Sequence, residues 1–122
     1  MNKELEKLIS YLMHSRTQVH VFHLQTDSYA EHMAFGGYYD GIVALIDAVV
    51  ESYQGKYEKI SKYESFEIES YKSGDSAVTY LKALSKKVES VHSGVKDTYI
   101  QNQLDTINEL INSTIYKLRF LK

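Results

Sequence analysis

Four of the chain's five histidines, and several of its carboxylates, fall within residues 14–51. His20 is followed twelve residues later by His32, and further along come Asp47 and, four residues on, Glu51. A separation of four puts Asp47 and Glu51 on one face of a helix, with Cβ atoms about 5–6 Å apart. Imidazole and carboxylate together suit iron, manganese or zinc, and an oxygen-rich mixture supports iron redox chemistry. The same residues also have an ordinary structural reading. In it His23 is a hydrogen-bonded core histidine, Glu31 belongs to a helix cap, and Asp40, Asp47 and Glu51 are solvated.

Composition restricts what else the chain can do. Its 122 residues contain no cysteine, so disulfides, thiolate zinc sites and cysteine nucleophiles are excluded, and a metal must be held by His, Asp and Glu. There is no proline either, which points to long uninterrupted helices. A net charge of −2 with interleaved signs argues against a strongly basic nucleic-acid binder. Lys3 and Lys7 alternate with Glu4 and Glu6, and Lys117, Arg119 and Lys122 make only a small basic end, so DNA binding is not expected. No run approaches the roughly 18 consecutive apolar residues of a membrane span. The polar start, Met1 to Lys7, does not read as a signal peptide, and a soluble cytoplasmic protein is the expectation. No glycine-rich phosphate loop or nucleophile motif is present. The paired Glu-x-x-His motifs of larger di-iron bundles are also missing.

The elements that must position these side chains are helical. Leu5, Leu8, Ile9, Leu12, Val19 and His23 form the stripe of a first helix, about residues 2–26. Ser28 opens a Ser-x-x-Glu capping box with Glu31, starting a second helix that runs to about residue 54. Residues 55–74 keep no steady period and read as a long crossover that can hold a short helix of its own. Asp75 or Ser76 caps a third helix, about 75–92, with Gly94 as terminator. The fourth, about 97–121, carries the cleanest apolar repeat, from Ile100 through Leu104 and Ile107 to Leu118. Gly55, Gly74 and Gly94 fall near the boundaries. The expected architecture is all-α, a single-domain four-helix bundle with a long crossover between helices 2 and 3.

On a helical wheel, Tyr38, Ile42, Leu45 and Val49 of the second helix point one way, and His32, Gly36, Asp40, Asp47 and Glu51 the other. Tyr39, Val43, Ile46 and Val50 flank the polar stripe and are apolar too, so burial on a second side, by another subunit, is expected. Gly36, Gly37 and Gly41 inside this helix imply either a break or close helix contact.

The spacing resembles that of the Dps mini-ferritins. Their ferroxidase motif runs His, then His twelve residues on, Asp four later, Asp eleven further and Glu four beyond. His20, His32, Gly36, Asp47 and Glu51 stand at those positions, four of them matching in residue type. The resemblance covers about residues 16–54 and extends in architecture to small phage-encoded Dps-like proteins. It implies a ferritin-like fold and a homo-oligomer, a dimer or a dodecamer-like shell, with ferroxidase activity at a two-fold interface. There His20 and His32 of one subunit would meet Asp47 and Glu51 of its mate around iron. Gly36 replaces a carboxylate ligand, and Asp40, one turn along, is the substitute the wheel offers. The alternative is a ferritin-like oligomer without the metal site that binds a small ligand such as a nucleotide in an interface pocket. For it the eleven tyrosines offer stacking surfaces and Lys56, Lys59 and Lys62 offer phosphate contacts; half-buried packing is the other role open to those tyrosines.

Overall fold

In a computed structural model, which describes residues 2–122, the chain forms four helices: α1 (Lys3–Gln25), α2 (Tyr29–Lys56), α3 (Gly74–His92) and α4 (Thr98–Phe120). Each start has a local cause. The Asn2 side chain accepts from the Leu5 amide at 3.0 Å, and Glu4 and Glu6 lie in the first turn, where the helix dipole favours them. Ser28 Oγ accepts from the Glu31 amide at 3.2 Å, as the capping box requires. Glu31 does not complete that box. Its carboxylate instead accepts from Thr26 Oγ1 at 2.7 Å and from the Tyr71 hydroxyl at 2.6 Å, and Thr26 Oγ1 takes the Ser28 amide. Ser73, not Asp75 or Ser76, caps α3 through the Ser76 amide.

The helices run up, down, down and up. Gly74 at the start of α3 lies against Glu31 at the start of α2, while the Tyr57 hydroxyl donates to Asp97 where α4 begins. Ser52 accepts from Gln103, and Gly41 faces Leu110, so α4 is antiparallel to α2. Residues 57–73 contain no helix, contrary to the room the sequence left for one. They climb beside α1, their backbone bonded in turn by Ser10, His14, Gln18 and Gln25. Those side chains supply the partners that a helix would supply internally.

The core takes Leu5, Ile9, Leu12 and Val19 from α1, Tyr38, Ile42 and Val49 from α2, Leu81 and Val88 from α3, and Ile100 to Leu118 from α4. In α2 the inward face includes Ile46, at 4% exposure, while Leu45 is only half-buried. One of the four flanking apolar residues is therefore covered by the chain itself, and of the rest only Val43 is openly exposed, at 41%. α2 also passes Gly36–Gly37 and Gly55 without interruption, so none of these breaks it. Gly41 admits Leu110 of α4 to 3.4 Å from where a Cβ would stand, which is the close-contact role. By length and composition α2 could cross a membrane, and in this fold Tyr38, Ile42, Ile46, Val49 and Tyr53 along it are buried against the other helices.

Candidate functional site

The short link Thr26–Ser28 folds the end of α1 against the start of α2 and brings His23 beside His32. The His23 Nδ1 bonds to the His32 carbonyl oxygen at 2.6 Å, and the His32 Nδ1 to the His23 carbonyl oxygen at 2.8 Å. A carbonyl can only accept, so both Nδ1 atoms carry the proton and donate it. The rings stack with centroids 3.7 Å apart. In the neutral imidazoles this tautomer leaves each Nε2 with a free lone pair, the arrangement by which a backbone carbonyl orients a metal-ligating histidine.

His23 is thus half-buried and paired with His32, not a core residue of the α1 stripe. It also occupies the space over Gly36. A Cβ there would stand 3.2 Å from His23 Cε1 and 3.3 Å from its Nδ1, so glycine is what lets the imidazole sit against α2. His20, half-buried, stacks on Tyr39 with centroids 4.2 Å apart, and its ring lies 6.0 Å from that of His23. The structure therefore joins His20, His23 and His32 in one row on the α1/α2 face. Sequence reasoning had only the outer two, because His23 fits the apolar period of α1.

Asp40, Asp47 and Glu51 project outward from α2 and are exposed. Among the described residues none of the three has a hydrogen-bond or ion-pair partner. Fifteen residues of helix separate His32 from Asp47, about 22 Å at 1.5 Å per residue. One chain therefore cannot bring His32 and the Asp47/Glu51 pair to the same ion. Consistently, no group of three His, Asp or Glu side chains is placed to hold a metal among the described residues.

Elsewhere, Glu89 and His92 have the Glu-x-x-His spacing on α3, but His92 Nε2 is engaged by Asp105 at 3.1 Å and the motif occurs once. Of the tyrosines, Tyr38 and Tyr53 are core residues, and burial pushes their hydroxyls above the ordinary range. Tyr57 is pushed up to about 12, first by its hydrogen bond to Asp97. Lys56 pairs with Asp97 at 3.5 Å, while Lys59 and Lys62 are exposed in the crossover.

Residues 23–118 match the model of DUF5856, a family of unknown function, and the chain belongs to that family. No curated protein and no solved structure matches it.

Proposed function

We propose that this DUF5856 member is a ferritin-like, self-associating bundle that binds iron as cargo or oxidation substrate at sites completed by a second copy. One observation carries the reading. His32 is fixed by a carbonyl with its Nε2 free, while Asp47 and Glu51 stand unpartnered on the outward side of the same helix. Two α2 helices packed antiparallel about a two-fold axis would bring the His32 end of one to the Asp47/Glu51 end of the other. The up-down-down-up order with an end-to-end crossover supports a ferritin-like assignment, and the match to mini-ferritin spacing supports iron.

The donor chemistry fits such an ion: carboxylates take hard ferric iron and imidazoles complete its coordination. At the missing carboxylate position the His23 ring covers Gly36, so this reading assigns the third place to His23 rather than to Asp40. His20, stacked on Tyr39, lies next in the row.

Anaerobic ferrous-iron calorimetry combined with light scattering tests the proposal. Wild type should bind iron and self-associate, and His32→Ala and the double variant Asp47→Asn/Glu51→Gln should each lose binding. Mixing the two variants should restore it, because one site in each mixed dimer is intact. A monomeric wild type, or mixed variants that stay inert, overturns the reading.

A further inference from the structure

α1 and α3 pack more loosely against each other than do α1 and α2, α2 and α4, or α3 and α4, and the crossover reaches α1 beside their seam only from Ser10 upward. Three cavities of about 540, 200 and 140 Å³ follow one another along the seam, the first two towards its uncovered lower end and the third beside Tyr11, His14 and Phe66 of the crossover. The first two share Ser90 and Val91, and the second and third share Tyr11 and Lys87, so they form one groove. From Lys3 to His14 it extends about 16 Å at the helical rise, and its largest part falls within the roughly 300–1,000 Å³ of small-ligand sites.

The groove is apolar within and cationic at its mouth. Its floor is Leu5, Leu8, Val91 and Ile100. Phe66 of the crossover closes the upper end by stacking on Tyr11 at 4.4 Å. Four lysines, Lys3, Lys7, Lys87 and Lys96, line the mouth. Lys87 and Lys7 lie 4.9 and 6.0 Å from the Tyr11 ring centre, which holds them beside the groove. Among the described residues none of the four has a carboxylate within ion-pair distance. The carboxylates there are Glu4 and Asp97, and Asp97 is already matched by Lys56 and the Tyr57 hydroxyl. Lysine thus outnumbers carboxylate two to one at this mouth, on a chain whose net charge is −2.

We infer that the α1/α3 groove binds a linear acyl carboxylate, its alkyl chain along the Leu5–Leu8–Val91 floor and its carboxylate among the lysines. The inference is independent of the metal reading, since no groove residue lies in the His20–His23–His32 row.

Calorimetry with dodecanoate below its micellar concentration tests it on the whole protein. Saturable binding at one site per chain is expected, weakened about tenfold in Lys7→Glu/Lys87→Glu, both exposed positions. Ser90→Trp, which fills the wall shared by the two lower cavities from an exposed position, should abolish binding while helical circular dichroism is unchanged. Dodecyltrimethylammonium should bind at least tenfold more weakly than dodecanoate. Absence of saturable dodecanoate binding, equal binding by folded Ser90→Trp, or equal affinity for the cationic amphiphile overturns the inference.

Discussion

His23 and His32 hold each other by the same atoms: each ring donates from Nδ1 to the other residue's carbonyl oxygen, at 2.6 and 2.8 Å, with the rings stacked. The carbonyl of His23 lies in the last turn of α1, where intrahelical partners run out, so the pairing satisfies a helix end and fixes two imidazoles at once. Structure and chemistry are joined at this point, and disturbing the pair should be felt in both.

Gly36 and Gly37 separate these effects. Replacing a helical glycine by alanine is worth about 1 kcal/mol in propensity. At Gly37 nothing lies within 4 Å of the added methyl, so Gly37→Ala should stabilise by about that amount. At Gly36 the methyl meets a His23 ring that its hydrogen bond and stacking prevent from yielding, so Gly36→Ala should destabilise by about 1 kcal/mol or more. Denaturant melts of the two variants should move in opposite directions; a stabilised Gly36→Ala would show that His23 is free to move.

The crossover should depend on α1 in a comparable way. Gln18 is 2% exposed and receives both polar groups of the Glu69 backbone, donating to its carbonyl at 2.7 Å and accepting from its amide at 2.8 Å. Gln18→Ala should cost about 1–3 kcal/mol and accelerate hydrogen exchange along residues 64–71. Unchanged exchange there would show that the segment is held by packing alone.

Much of this architecture is legible in the sequence. The four apolar periods lie within a few residues of the helices, and Ser28 marks the start of α2 one residue ahead of Tyr29. What escaped has particular causes. Ser10, His14, Gln18 and Gln25 read as polar positions of α1, yet they are the hydrogen-bonding partners of a non-helical connection far away in sequence. Ile46 turns inward and Leu45 partly outward because the buried face of α2 is centred near Ile42 and Tyr53, to which Ile46 lies closer than Leu45 on the wheel. At the site, the outward direction of Asp40, Asp47 and Glu51 follows from the wheel. The role of His23 does not, since a pairing across the α1–α2 link leaves no periodic trace.

Alkaline pH should loosen the base of the bundle. The Tyr57 hydroxyl is raised from 10.0 to about 12, mainly by donating to Asp97. The folded state therefore holds this proton more tightly than the unfolded chain does. The resulting stabilisation is complete below the unfolded value near pH 10 and disappears as pH rises towards 12. Tyr57→Phe should flatten the fall in stability across that window, measured by denaturant melts at successive pH values. An unchanged slope would mean that the Tyr57–Asp97 bond does not persist in solution.

Asp47 and Glu51 offer a last test, because their expected effect changes with iron. In the free protein they are exposed like charges one helical turn apart, and such a pair destabilises a helix by about 0.2–0.5 kcal/mol. Asp47→Asn/Glu51→Gln should therefore leave the melting temperature of the metal-free protein unchanged or slightly raised. A ligand that binds only the folded state stabilises by mass action, so at ferrous iron a hundredfold above Kd the wild type should gain about 2.7 kcal/mol. The double variant should gain nothing. Its melting curve would then cross from at or above that of wild type without iron to below it with iron. If instead both proteins rise together on adding iron, the ion is bound elsewhere and these carboxylates are ordinary solvated surface.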